Sequence, residues 1–490
     1  MVRHSGWFDK NILSWLVISL LLFVPLYPKF PLFEVPGTYV AVRLEDFLIG
    51  GVLLIWFLKE INQGWPTLKQ RVSRLVLLYF LAGLVSLANA LLISRVITPH
   101  LAWLHFFRRI EYMSLFFVAL ASVREKRHIL SYALTLFLAA AGVFLFGLGQ
   151  KYLNWPVIST MNEEFSKGMA LYLSKWTRIN STFAGHYDLA AFAVLIFSPF
   201  LGFMMGVKRR WLKLAGLTVA VMAFYLLILT ASRISFGAYL ISAVLVLFWL
   251  GKKKLALPLV GLSLAVMLLT GDLGQRFAAT FNLDLKLNLP KIKLGQKKVA
   301  QLPQATVTPL PPPPAENQPE VDELKPKKAT GEGEIQEKKK ATVEVYFPEP
   351  ESVELAAQRS GEIRFKVEWP RAIRAFLKNP LVGTGFSSVT LATDNDYLRI
   401  LAETGLLGGI SFALIFLEFF KKFFVFHRKT KWCPQKAVVT GIAGAMVGFL
   451  ANAVFIDVFE ASKVAFLFWM LMGIMVGTIN LYQTRDLFQN

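Results

Sequence analysis

The 490-residue sequence has a single cysteine, Cys433, so no disulfide can form within the chain. It is also poor in charge: Asp, Glu, Lys and Arg together make up 17% of the residues, too few to clothe a soluble globule of this length. The six histidines are scattered, which gives a histidine-based metal site no support. No phosphate-cradling P-loop, zinc spacing or nucleophile elbow occurs, and no internal repeat is evident. No nucleotide-sugar or soluble-cofactor signal is visible, and none is expected.

Apolar residues are what the chain has in excess, at 55% with a mean hydropathy of +0.50. They arrive in long runs such as Trp15 to Tyr27, Val72 to Ile93, Leu189 to Met205 and Leu255 to Thr270, which approach or reach the length of a bilayer crossing. The sequence therefore reads as an all-α polytopic membrane protein. About twelve spans are expected, centred near residues 19, 51, 83, 114, 140, 197, 220, 242, 262, 412, 446 and 472. Residues 1–270 hold the first nine, 271–395 form a large hydrophilic loop, and 396–490 hold the last three. The first run has a basic start but no convincing cleavage site, so it reads as a retained span.

The formal charge of +21 would suggest nucleic acid in a soluble chain. Here alternate loops carry it: Lys59 to Arg74, Arg124 to Arg127, Lys208 to Lys213, Lys252 to Lys254 and Lys421 to Lys436. By the positive-inside rule that set is cytoplasmic. Both termini are then cytoplasmic, the long loop is external, and a nucleic-acid partner is not expected.

Within the long loop, residues 286 to 350 carry PLPPPP at Pro309 to Pro314, Lys-Lys pairs and Glu-rich stretches with almost no aromatics. Such a segment cannot bury enough apolar area to offset its ordering entropy and reads as a flexible insertion. Residues 353 to 378 have amphipathic helical spacing, with Ile363, Val367, Ile373 and Leu377 among Arg and Glu, and Pro370 is expected to kink or divide the stretch. These helices should lie on the membrane surface or over the span openings.

Arginines at the external ends of the spans are the first chemical candidates. Arg178 and His186 lie in RINSTFAGHYDLAAF, leading into the sixth span, and Arg233 lies in LTASRISFGAYL at the end of two consecutive spans. Arg359, Arg364, Arg371 and Arg374 share that side. A guanidinium there snorkels to lipid headgroups, pairs with Asp188, Glu362 or Glu368, or binds a phosphate-rich ligand, for which its planar fork is suited. In NPLVGTGFSSVTLATDNDYLRILAETGLLGGISF, residues 379 to 412, the glycines permit tight turns and close helix contacts, and Asp394, Asp396 and Glu403 supply carboxylates. Asp394 and Asp396 form a D-x-D, which holds a divalent metal in some glycosyltransferases, while Asp394 or Asn395 is equally suited to cap the next helix. For Arg43, Glu45, Asp46, Arg108, Arg109 and Glu111, at the starts of spans two and four, internal pairing is the default reading.

Taken together, four features resemble the O-antigen ligase and polymerase superfamily, polytopic glycosyltransferases that use polyprenyl diphosphate-linked sugars. They are RINSTFAGHYDLAAF, LTASRISFGAYL, a large loop ending in W-x(10)-P-L-V-G-T-G-F, and DNDYLRILAETGLLG opening the next span. FFRRIEYMSLFF and VFIDVFEASKVAFLFWMLMG are similar to family segments as well. The resemblance implies a glycan donor on a polyprenyl diphosphate and a lipid, glycan or protein acceptor, with transfer to a hydroxyl at the outer face of the cytoplasmic membrane. It implies that Arg178 and Arg233 bind the diphosphate, and Arg359 on the same external side is a further candidate ligand; because arginines can neutralise such a leaving group, attack is expected to invert the anomeric centre without a metal. The family often has histidine where this chain has Asp394, so Asp394 or His186 is the expected base, supported by Asn395, Asp396, Tyr397 and Glu403. A polymerase, a protein oligosaccharyltransferase, a transporter or flippase, and a noncatalytic assembly subunit are the competing readings.

Overall fold

The computed structural model describes residues 7–35, 41–94, 97–157, 178–270, 273, 363–389 and 393–486. The Pro- and Lys-rich stretch 286 to 350 and the predicted diphosphate ligand Arg359 lie outside the described residues.

Among the described residues there are thirteen α-helices. In chain order they are α1 (Trp7–Leu26), α2 (Leu44–Gln63), α3 (Arg71–Asn89), α4 (Pro99–Ser122), α5 (Lys126–Tyr152), α6 (His186–Gly206) and α7 (Arg210–Thr230). They continue with α8 (Arg233–Trp249), α9 (Ala256–Leu269), α10 (Trp369–Lys378), α11 (Asp396–Lys429), α12 (Pro434–Asn452) and α13 (Ser462–Asp486). Each predicted span centre falls inside one of these helices, α10 alone having none. Seven are long and apolar enough to cross a membrane, within α3, α5, α6, α7, α11, α12 and α13, and α1 and α8 hold shorter apolar stretches. Leu81, Leu138, Leu145, Leu214 and Leu417 stand exposed on them, as lipid-facing side chains do. The chain is a multi-pass membrane protein.

One element departs from the all-helical expectation. Strands β1 (Pro31–Glu34) and β2 (Ala41–Arg43) pair antiparallel between α1 and α2, with an irregularity between Pro31 and Phe33. Proline fits there because it opens an edge strand, where its missing N–H breaks no ladder. Leaving aside the short α10, successive helices run in alternate directions, so the starts of α2, α4, α6, α8, α11 and α13 gather at the end marked by this ribbon. Arg43 reaches Ser462 at 3.1 Å and Thr182 reaches the Pro25 carbonyl at 2.6 Å, stitching that end together. The opposite end carries the basic runs, with Arg71 against Glu418 at 3.2 Å and Asn480 bonded to Gln70 at 3.0 Å.

Helices α6 and α13 are apolar all round and almost entirely enclosed by their neighbours, the signature of central helices. Small residues let α6 and α12 approach at backbone distance: a Cβ on Gly202 would stand 2.3 Å from the Ala437 carbonyl oxygen, and one on Gly441 2.6 Å from that of Ser198. Aromatic rings fill the space between α12, α13 and their connection, with Phe449 stacked on Phe468 at 4.3 Å and Phe459 edge-on to Phe468.

The loop ahead of α11 is sewn into a break in that helix. Gly405 has φ 63° and ψ −165°, which interrupts the helix, and Gly383 opposite it has φ 74°. The N–H groups of Thr384 and Gly385 donate to the carbonyls of Ala402 and Glu403 at 2.9 Å, and those of Leu406 and Leu407 donate to Pro380 and Leu381 at 2.8 and 3.1 Å. A Cβ on either glycine would stand 2.4 Å from a facing carbonyl oxygen, so the PLVGTG and ETGLLG glycines serve this junction. Pro370 lies in the first turn of α10, where the π-helical segment Ile363–Glu368 gives way to α-helix, so it stands at the division of the stretch.

Candidate functional site

The stretch Arg178 to Gly185 is held from several sides before it enters α6. Gln150 bonds both the N–H and the carbonyl of Ser181, at 2.7 and 2.9 Å, and the Ser181 hydroxyl donates to the Val143 carbonyl at 2.7 Å. Lys463 donates to the carbonyls of Tyr27 and of Thr182, the latter at 2.7 Å. Ile179 and Phe183 are buried beneath the loop. Fixed in this way, it brings Arg178 Nη1 within 2.6 Å of His186 Nε2. A guanidinium has only donors, so Nε2 accepts and the ring proton resides on Nδ1. The nitrogen that would act as a base is thus engaged by an arginine.

Arg233 arrives from the next pair of helices. Ala231 takes a left-handed conformation, φ 49°, that ends α7, and the Ser232 hydroxyl caps α8 by accepting from the Ser235 N–H. This reversal makes Arg233 the first residue of α8, within electrostatic range of Arg178, Tyr187 and Arg364.

The fourth contribution comes from the π-helical segment Ile363–Glu368 directly before α10. Its Arg364 is buried, places its guanidinium 5.8 Å from the centre of the Tyr187 ring, and donates from Nε to Asp394 Oδ2 at 2.7 Å. Asp394 itself is turned outward, with φ 48°. Burial and the neighbouring Asp457 push its carboxyl above the usual carboxylate range, against the opposing pull of Arg364. Glu368, on the same segment, is raised to about 7, first by burial and then by Asp394 and Asp457.

Of the residues predicted from sequence, the structure brings Arg178, His186 and Arg233 together around Tyr187 and links Asp394 to them through Arg364. It gives the supporting residues structural partners. Asn395 caps α11 by accepting from the Leu398 N–H at 3.0 Å; Asp396 is fully buried and accepts from the Phe459 N–H at 3.1 Å. Tyr397 donates to the Leu450 carbonyl at 2.8 Å, and Glu403 accepts from the Ser387 N–H at 3.2 Å. The two carboxylates of the D-x-D therefore serve different partners, and among the described residues no group of three or more His, Cys, Asp or Glu side chains is arranged to hold a metal ion.

Behind the site lies a layer of charges bonded to one another. Arg108 reaches Asp46 at 2.6 and 3.0 Å and Glu111 at 3.3 Å, Arg109 pairs with Glu460, and Arg43 pairs with Glu45 at 3.2 Å. Arg399 stands 3.8 Å from both Asp457 and Glu460.

Sequence reasoning gave Tyr187 and Asp457 no place in the site, named Glu368 only as a partner for an arginine, and left Arg364 between lipid contact, ion pairing and phosphate binding; the structure shows it paired with Asp394. Helix alternation was the available signal for Asp457, since it puts the α12–α13 connection at the same end as Asp394. Nothing in the sequence distinguished Tyr187 from other interfacial tyrosines.

A family model described as O-antigen ligase matches residues 217–413, which take in Arg233, Arg364 and Asp394. That stretch of the chain is similar to the O-antigen ligase family. No curated protein matches the chain.

Proposed function

We propose that this chain is a membrane glycosyltransferase of O-antigen ligase type, moving a glycan from a polyprenyl diphosphate carrier to an acceptor hydroxyl at the outer face of the cytoplasmic membrane. The observation that carries this reading is the convergence of Arg178, Arg233 and Arg364 around Tyr187 at one end of the helices. A polyprenyl diphosphate becomes a good leaving group when its charge is met, and preorganised guanidinium groups meet it most strongly where water is excluded. Arg178 and Arg233 are the diphosphate ligands in this reading, with Arg178 leaving His186 for the phosphate. Attack from the face opposite the leaving group inverts the anomeric centre. The arginines take the place of a divalent ion, so transfer persists in chelator.

The same reading takes α1 to α9 and α11 to α13 as twelve crossings, with the site outside and the basic runs and both termini in the cytoplasm. The charges and broken helix lie at one end of the bundle and not in two related halves at its middle, which favours surface chemistry over carriage across the membrane.

The test is purified protein in lipid with a pool of polyprenyl diphosphate glycans and candidate acceptors, with and without chelator, the products read by mass spectrometry. A glycan on a lipid or protein acceptor with free polyprenyl diphosphate supports the ligase. A lengthened lipid-linked glycan means a polymerase, and absence of any transfer overturns the enzyme reading.

A further inference from the structure

Arg364 and Glu368 lie four residues apart on the π-helical segment Ile363–Glu368, so they occupy neighbouring positions on one face of it. Arg364 is committed to Asp394 at 2.7 Å. Glu368 is not committed in that way: its Oε2 is shielded from solvent and has no hydrogen-bond partner among the described residues. The residue as a whole is only half-buried, and it lies within electrostatic range of Asp394 and Arg364. The charged groups that face it are Asp394 and Asp457, which oppose its ionised form, and Arg364 and Arg371, which favour it.

The two carboxylates therefore differ in what they can accept. Asp394 Oδ2 already accepts a charge-assisted hydrogen bond from Arg364, so that oxygen is engaged. Glu368 Oε2 keeps its lone pairs, and a hydroxyl brought to it would supply the donor it lacks. Its pKa near 7 also suits a base working at neutral pH.

We propose that Glu368 takes the proton from the acceptor hydroxyl, and that the Arg364–Asp394 ion pair positions the segment that carries it. The proposal rests on the transfer reading above. The hydroxyl oxygen bonds to the anomeric carbon of the donor sugar as the bond from that carbon to the diphosphate oxygen breaks. The electron pair leaves on the diphosphate, whose charge Arg178 and Arg233 meet, and the proton passes to the Glu368 carboxylate and then to solvent.

The experiment measures initial transfer rates and donor binding for the wild type, Glu368→Gln, Glu368→Asp and Asp394→Asn in lipid, from about pH 5 to about pH 9. Glu368→Gln should bind donor as the wild type does, lose roughly 10²-fold to 10⁴-fold in kcat, and lose the acid limb of the pH profile. Glu368→Asp should recover part of the rate with a shifted limb, and Asp394→Asn should slow transfer while keeping the limb. A Glu368→Gln rate close to wild type, or an acid limb that disappears with Asp394→Asn instead, overturns the proposal and leaves the transfer reading intact. If Glu368→Gln does not insert, Glu368→Asp carries the test, and an unshifted limb overturns the proposal. A wild-type chain that transfers nothing overturns both.

Discussion

Asp457, in the connection between α12 and α13, accepts the backbone N–H groups of both Thr393 and Asn395, at 2.8 and 3.0 Å. One carboxylate thus holds the residues on either side of Asp394, and the residue between them turns outward with φ 48° toward Arg364. The orientation of Asp394 is set by a residue some sixty positions away in sequence.

Replacing Asp457 with alanine should therefore loosen residues 393 to 395. Each partly buried N–H left without an acceptor costs roughly 1–3 kcal/mol, and Arg399 loses a neighbouring charge. The expected outcome is a lower thermal midpoint in detergent and slowed transfer with donor binding retained. Asp457→Asn, which keeps one acceptor oxygen, should recover part of both, and a variant matching wild type in both would remove Asp457 from the site's support.

Arg178→Ala and Arg233→Ala should each fold and insert but lose roughly 10²-fold or more in transfer, the scale of removing one preorganised donor from a developing anion. Lysine should not restore either, because it lacks the planar fork. Arg364→Ala has a second consequence, since it strips Asp394 of its cation. Direct binding of polyprenyl diphosphate separates the cases: it should weaken for Arg178 and Arg233, and normal transfer by either alanine variant across donor concentrations would exclude that arginine.

The junction between the loop and the broken helix should tolerate no side chain. Gly405→Ala and Gly383→Ala combine a left-handed backbone with a Cβ 2.4 Å from a carbonyl oxygen, so each should cost about 1–3 kcal/mol or more. Thermal unfolding of the purified variants measures this, and unchanged midpoints would argue against the junction. Gly50→Ala, where a Cβ meets nothing within 4 Å, is the control.

Glu368 gives stability a pH dependence of defined sign. Its folded-state value near 7 lies above the ordinary glutamate value, so the unfolded chain releases this proton first as pH rises. Its contribution is most favourable in mild acid, declines from about pH 4.5 to about pH 7, and stays level above that range. Glu368→Gln should flatten that part of the curve of thermal midpoint against pH. An unchanged slope in the variant would assign the titration to another group.

Orientation in the membrane is tested with a single reporter thiol. Gln318→Cys in a Cys433→Ser background should label in intact cells with a membrane-impermeant reagent. Labelling only after permeabilisation would reverse the proposed topology and place the arginine cluster in the cytoplasm.

The helices were legible in the sequence because a bilayer imposes a local rule: each segment must be apolar over enough residues to cross and must satisfy its backbone within itself. Each predicted centre accordingly lies in a helix, and alternation alone put Arg178, His186, Arg233 and Asp394 at one end. The chain's own residues also marked the polar loop before α6 and the glycine-rich entry to α11. They did not say which polar residues in those loops face the site. Asp394 and Asp396 look alike as a D-x-D, yet one is turned toward Arg364 and the other is buried against the Phe459 N–H. That difference depends on Asp457, on the π-helical segment that delivers Arg364 and Glu368, and on the packing that seats Tyr187 beneath the guanidinium. Sequence determined the apolar helices because their energetics are local and periodic; tertiary structure decided which side chains meet because that depends on contacts between residues far apart in the chain.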